Sequence, residues 1–346
     1  MGHLTHDRWM GSALALGERG RGRTAPNPNV GCVIVAGGRV VGRGWTQAGG
    51  RPHAEAMALA QARVAARGAT LYTSLEPCAH LSTRGPACTD LIIASGVTRV
   101  VAAMEDPDAR TAGRGFARLI EAGVNVERDV RTDDARRSMA GFLTRQAHGR
   151  PFVTLKLATS LDGCIATAAG ESRWITGPIA RAHAHLERSR HEAILVGRGT
   201  WDADAPALDV RLPGLGDRAP RRIILSSCVT PALSRGPASF PPVEQASGTP
   251  SQARGDDDCA WITSPAAIAT LPANHLLVEG GAVTAAAFLR ADLVDRLLLY
   301  RAPILLGGGP TLGEFGLASL AQAHGRWRMT DARALGSDRL EVYERG

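Results

Sequence analysis

Pro52-His53-Ala54-Glu55-Ala56-Met57-Ala58-Leu59-Ala60 opens a run of strong helix formers, Ala54 to Ala66, directly behind an imidazole. Downstream stand Pro77-Cys78 and then Cys88, with nine residues between the two cysteines. One imidazole and two thiolates form a zinc donor set, and three protein ligands leave a fourth position for water. Zinc brings the pKa of such a water toward neutrality. Glu55 lies two residues after the histidine, near the start of the helix, placed to take a proton from that water and hand it to a departing amine. A structural zinc with four protein ligands is the competing reading, with His80 as the fourth; it gives Glu55 no purpose.

Working outward, Asn27-Pro28-Asn29-Val30-Gly31 precedes an apolar stretch. It reads either as a turn or as an amide, Asn27, that meets the donor–acceptor edge of a heterocyclic base. Leu4 to Glu18 has helical periodicity. Val30 to Val35 and Arg39 to Trp45 flank Gly37-Gly38 as a hairpin. Thr70 to Thr73, Val97 to Ala102 and Val124 to Arg128 read as strands, and Ala87 to Ser95, Gly115 to Ala122 and Asp133 to Ala147 as helices. Strands alternating with helices make an α/β layer. His148-Gly149-Arg150-Pro151 punctuates the chain, so the domains are expected at 1–149 and 150–346. The second set has strands at Phe152 to Ala158, Ala193 to Val196, Arg222 to Leu225, Ala260 to Thr263, Leu276 to Val278 and Leu293 to Tyr300. Its helices are Pro178 to Arg190 and Ala282 to Arg290. Cys228 to Asp258, rich in Pro, Ser, Gly and Asp, reads as an excursion within this second domain.

A chain of 346 residues exceeds the roughly 250–300 at which single cores stop growing, so two domains are the default. No stretch approaches the roughly 20 apolar residues of a membrane span. No secretory apolar run is visible near the start, and the six scattered cysteines suit a reducing compartment, so cytoplasmic location and no membrane partner are expected. The formal charge of +7 is spread along the chain without a basic block. That favours a phosphorylated small molecule over nucleic acid as partner. A homo-oligomer stays open.

In the second half, Gly280-Gly281 follows an apolar strand and opens a helix, which suits a pyrophosphate; a plain tight turn reads equally well. Glu279 ends that strand, where α/β sheets bind ligands.

Taken together, Asn27-Pro28-Asn29-Val30-Gly31, Pro52-His53-Ala54-Glu55, Leu75-Glu76-Pro77-Cys78-Ala79-His80 and Cys88 resemble the pyrimidine deaminase domain of the bifunctional riboflavin-biosynthesis enzymes. The resemblance continues through Lys156-Leu157-Ala158-Thr159-Ser160-Leu161-Asp162-Gly163, Gly170-Glu171-Ser172-Arg173-Trp174-Ile175-Thr176-Gly177, Val196-Gly197-Arg198-Gly199-Thr200, Asp204-Ala205-Pro206-Ala207-Leu208, Val278-Glu279-Gly280-Gly281 and Ala302-Pro303-Ile304-Leu305-Leu306-Gly307-Gly308. It implies a cytidine-deaminase-like three-layer domain followed by a dihydrofolate-reductase-like α/β domain. It implies zinc on His53, Cys78 and Cys88, with Glu55 catalytic and Asn27 on the substrate. The reactions it implies are loss of the 2-amino group from a diaminopyrimidinone bearing a phosphoribosylamino chain, then NADPH-dependent reduction of ribosyl to ribityl.

For the second site the resemblance places the cofactor against Ala158, Trp174, Thr200, Asp204, Ser227 and the segment Gly281, Ala282, Val283, Thr284, Ala285, Ala286 and Ala287. It places the sugar phosphate against Ser172, Arg188, Leu208 and Arg211, with Glu279 also on the substrate; Lys156 is a candidate for a role in the reduction. Leu81 to Cys88 departs from the family's usual run, and Ser226 stands where the family ends a strand with Asp. Two other readings are a nucleic-acid or nucleoside deaminase with an accessory domain, and a non-catalytic zinc-stabilised binding protein. The nine-residue gap and the second motif set argue against the first, and Glu55 against the second.

Overall fold

The protein was analysed as a computed structural model that describes residues 2–80, 82–226 and 259–346. Ser227 and the 228–258 excursion therefore lie outside the described residues. The chain divides into two units, Met1–Gly149 and Arg150–Gly346.

In the first unit the strands β1 (Gly31–Ala36), β2 (Arg39–Trp45), β3 (Thr70–Thr73), β4 (Arg99–Ala102) and β5 (Asn125–Glu127) form one sheet in the order β2-β1-β3-β4-β5. β1 pairs antiparallel with β2 and β3, and the β3–β4 and β4–β5 pairs are parallel. β1 is apolar on both faces because helices cover both. A Cβ on Gly31 would strike the Ala13 carbonyl of α1 (Gly2–Gly17) at 1.8 Å. On the opposite face, a Cβ on Gly42 or Gly44 would come within 2.2 or 2.3 Å of the Ala58 or Ala54 carbonyl of α2 (Ala54–Ala62). Glycine on the strand and alanine on the helix thus let α2 lie almost against β2, which fixes where its first turn stands. The remaining helices are α3 (Cys88–Ser95), α4 (Arg114–Glu121), α5 (Thr132–Ser138) and α6 (Ala140–His148). The single helix expected over 133–147 is broken at Met139. Asn29 donates its amide to the Ser138 carbonyl, 3.3 Å away, drawing that group out of a continuous ladder.

Among its described residues the second unit forms an eight-stranded sheet of β6 (Phe152–Thr159), β7 (Ala193–Gly197), β8 (Arg221–Leu225), β9 (Cys259–Ile262), β10 (His275–Val278), β11 (Arg296–Arg301), β12 (Trp327–Leu335) and β13 (Asp338–Arg345). Its order is β12-β13-β11-β6-β10-β7-β8-β9. The six strands from β11 to β9 are parallel to one another, and the β12–β13 hairpin adds on antiparallel at β11. β7 and β10 are wholly buried, as inner parallel strands must be. α7 (Pro178–Arg188), the short α8 (Arg198–Asp204) and α9 (Ala282–Arg290) follow or precede these strands. The sequence reading did not foresee α8 or the C-terminal hairpin. Among the described residues no helix is long and apolar enough to cross a membrane.

A zinc-type cluster and a reductase cleft

In the first unit the chain brings three donor atoms together. His53 is the residue before α2, Cys78 follows β3, and Cys88 is the first residue of α3. His53 Nδ1 lies 3.3 Å from Cys88 Sγ and 3.5 Å from Cys78 Sγ. All three donor atoms fall within 4.8 Å of one another. Zinc bonds of roughly 2.1 Å to nitrogen and 2.3 Å to sulfur at a tetrahedral angle would place N and S about 3.6 Å apart, so the cluster fits this ion. The Cys88 backbone N–H donates to Cys78 Sγ at 3.3 Å. Hydrogen bonding from Cys88 and His53 outweighs burial and draws the Cys78 thiol down to about 4. Hydrogen bonding to Cys78 and burial push Cys88 well up. A divalent cation binds the deprotonated form of both sulfurs.

Glu55, in the first turn of α2, is buried. Its carboxylate accepts from Thr73 Oγ1 at 3.3 Å and from Cys88 Sγ at 3.4 Å, and burial raises its pKa. His53 sets Nε2 3.2 Å from the Asn27 amide, so Asn27 touches the ligand ring as well as the cavity. Asn29 turns away, to the Gly17 and Ser138 carbonyls. His80 faces the cavity, with Nδ1 3.3 Å from Thr111 Oγ1. The cavity, about 160 Å³, is also lined by Asp106, Asp108, Arg110, Phe142 and Gln146, which the sequence reading missed. Burial lifts the Asp106 carboxyl to about 7. One signal was legible: Asp106-Pro107 follows a parallel strand, at the end where such sheets bind ligands.

In the second unit a cleft of about 950 Å³ opens where β6, β7 and β10 end. It is lined by Lys156, Ala158, Ser172, Trp174, Arg188, Thr200, Asp204, Leu208, Arg211, Glu279 and Gly281. Gly281 donates its N–H to Thr200 Oγ1 at 3.3 Å. Beyond the first turn of α9 the chain turns inward: Thr284, Ala285 and Ala286 are buried, Val283 is exposed, and Ala282 and Ala287 are intermediate. Trp174 is exposed, with the Arg181 guanidinium 4.7 Å from its ring. Arg173 binds the Asp204 carbonyl, and Arg211 pairs with Asp209. Lys156 Nζ lies 5.9 Å from the Tyr300 ring centroid. Arg181 and His185, also in the lining, were missed; they stand two turns and one turn, respectively, before Arg188 on one helix face.

Arg188 grips Glu279 with two bonds, Nε–Oε1 at 2.7 Å and Nη2–Oε2 at 2.9 Å, and donates from Nη1 to the Asp209 carbonyl at 3.0 Å. Burial pushes the Glu279 carboxyl up, but the Arg188 bonds and charge prevail and hold it at about 2. A carboxylate with a depressed folded pKa adds stability that is present above its unfolded value of roughly 4.3 and lost as pH falls toward the folded one. The thermal midpoint of the second unit should therefore fall on acidification through that window. In Glu279→Gln the fall should be shallower, as a pH series of melts can check.

A His/Cys/Cys cluster that fits zinc, with a buried carboxylate beside it, is the make-up of a zinc deaminase; the second unit adds a mostly parallel sheet with a large polar cleft. Residues 4–104 match the cytidine and deoxycytidylate deaminase zinc-binding region, and residues 151–340 match the RibD C-terminal domain. The riboflavin biosynthesis protein RibD of Escherichia coli K12 is 40% identical over 97% of this chain and 98% of its own length. That of Aquifex aeolicus is 36% identical over 97% and 98%. In structure, the chain is similar to a diaminohydroxyphosphoribosylaminopyrimidine deaminase/5-amino-6-(5-phosphoribosylamino)uracil reductase of Thermotoga maritima, with TM-score 0.84, 30% identity and full coverage of both chains. It is equally similar to Acinetobacter baumannii RibD, with TM-score 0.84, 33% identity and 99% coverage of each.

The chain belongs to the RibD family of bifunctional deaminase–reductases of riboflavin biosynthesis. Its cofactors are Zn2+ and NADPH, and its substrate is a small molecule.

Proposed function

We propose that the first unit removes the 2-amino group of 2,5-diamino-6-(5-phosphoribosylamino)pyrimidin-4(3H)-one. The second then reduces the ribosyl chain to ribityl with NADPH, giving 5-amino-6-(5-phosphoribitylamino)uracil. The observation that carries the reading is the placement of Glu55: buried beside the triad, with its carboxylate accepting from Thr73 Oγ1 and Cys88 Sγ. His53, Cys78 and Cys88 would hold zinc, which when bound supplies an activated water. Glu55 takes a proton on its carboxylate and returns it to the leaving amine, a role its position beside Cys88 allows. Asn27, at the cavity mouth beside His53, meets the heterocycle.

In the second unit the Gly280-Gly281 turn lines the cleft just before α9, where a helix N-terminus suits a pyrophosphate. A Cβ on Gly280 would lie 2.4 Å from Thr284 Cβ, so glycine is what lets the turn pack this closely on α9. Ala158, Trp174, Thr200, Asp204 and Gly281 are assigned to the cofactor, and Ser172, Arg188, Leu208, Arg211 and Glu279 to the substrate, with Lys156 near the reacting sugar. Of the helix after Gly281, Ala282, Val283 and Ala287 are not buried and can offer side chains to a ligand; Thr284 to Ala286 support it from within. Hydride chemistry belongs to the nicotinamide, and the protein positions it. We place the enzyme in the cytoplasm, acting on a phosphorylated pyrimidine rather than on nucleic acid or at a membrane.

The test is to supply that pyrimidine to the full chain and follow ammonia, then NADPH absorbance. One zinc per chain is expected, and Cys78→Ser should lower zinc content and ammonia release in parallel while NADPH-linked reduction of the deaminated substrate persists. Ammonia from cytidine but not from the phosphoribosylamino-pyrimidine would overturn the substrate assignment.

A further inference from the structure

Glu76 stands two residues before Cys78 and is buried, with no ion pair among the described residues. Its carboxylate instead collects four backbone N–H groups from one segment. Oε2 accepts from Asp106 at 3.1 Å and Gly113 at 3.0 Å. Oε1 accepts from Gly115 at 2.8 Å and Phe116 at 3.1 Å. The segment so held begins at Asp106 and carries Asp108 and Arg110, three residues that line the deaminase cavity. It ends at the start of α4, whose free N–H groups favour a carboxylate. The fit is tight: a Cβ on Gly115 would lie 2.2 Å from the Pro77 carbonyl and 2.9 Å from Glu76 Oε1.

Cys78 does not depend on this carboxylate. Thr89 holds its carbonyl through both backbone N–H and hydroxyl, at 3.2 and 3.3 Å, and the Cys88 N–H holds its sulfur. Glu76 therefore acts on the cavity wall, not on the metal ligand.

We propose that Glu76 is a positioning residue for pyrimidine recognition: by gathering the backbone of the 106–116 segment it sets Asp106, Asp108 and Arg110 against the substrate. The inference rests on the deaminase reading above. Glutamine at this position keeps one acceptor oxygen and turns an NH2 toward two N–H donors, so half the cradle is lost and repelled.

The test is steady-state deamination by the full chain with metal analysis. Glu76→Gln should keep one zinc per chain and a kcat within about threefold of the parent, while KM for the phosphoribosylamino-pyrimidine rises about tenfold or more. Gly115→Ala, which displaces the segment and spares the carboxylate, should give the same split. If Glu76→Gln fails to fold, judged by loss of the first unit's thermal unfolding transition, Gly115→Ala decides by the same KM criterion. Unchanged KM in the folded variants overturns the proposal, and so does joint loss of zinc and kcat at constant KM. A parent chain that releases no ammonia refutes the deaminase reading itself, and is seen before any variant is made.

Discussion

Replacing Glu55 with glutamine should stop ammonia release, with kcat falling by roughly 10²- to 10⁴-fold, the range carried by a positioned proton-transfer group. The substitution preserves shape. An amide oxygen can still accept from Thr73 Oγ1, now 3.3 Å from the carboxylate, so the first turn of α2 should stay in place. None of the three donor atoms is altered, and zinc content should remain at one per chain. What the amide lacks is a basic oxygen able to take a proton and give it back. The separation of metal content from turnover is the informative result. Retained turnover would show that the proton moves through another group, and Asp106, whose carboxyl burial lifts to about 7 in the same cavity, would be the next to test. Loss of zinc would instead mean that Glu55 supports the metal site. NADPH-linked reduction of the deaminated substrate reports the second unit and should not change.

The part of the site legible in the sequence is the part whose chemistry is local. His53 and Glu55 are separated by one residue at the start of an Ala-rich helix, and the residue types name the ion. The strands around Gly37-Gly38 were legible because the turn signal and alternation lie within one short window. The Trp327–Leu335 and Asp338–Arg345 hairpin carries a similar signal at Gly336-Ser337, and was passed over among polar residues; its Asp338 accepts the Gly177 N–H at 2.6 Å, holding the start of α7. Other features depend on partners distant in the chain. Nothing in Asn27-Pro28-Asn29 says that the first amide meets His53 and the second takes the Ser138 carbonyl 109 residues away. Glu76 looks like motif context until the fold delivers four N–H groups to it. Arg188 and Glu279 were both expected at the substrate, and the sequence gives no hint that, 91 residues apart, they bind each other.

That pairing sets the second large expectation. Arg188→Ala leaves Glu279 nearly buried without its bidentate partner, facing only the more distant charges of Lys156 and His185, and breaking such a pair from one side costs about 3–5 kcal/mol. For a unit of this size that corresponds to a fall of roughly 6–20 °C in its melting midpoint. Removing both partners, Arg188→Met with Glu279→Leu, should recover much of the loss, because the penalty lies in the orphaned charge more than in the missing attraction. Stability alone does not test whether Arg188 also holds the sugar phosphate. Of its five N–H hydrogens, three are used on Glu279 and the Asp209 carbonyl, leaving one on each terminal nitrogen for a phosphate oxygen. Arg188→Lys keeps a positive charge beside Glu279 and removes the fork. If Arg188 serves both partners, this variant should melt closer to the parent than Arg188→Ala does, yet show a raised KM for the phosphorylated substrate. An unchanged KM there would confine Arg188 to holding Glu279, and would move the phosphate toward Arg211, whose guanidinium pairs with Asp209 and is largely exposed.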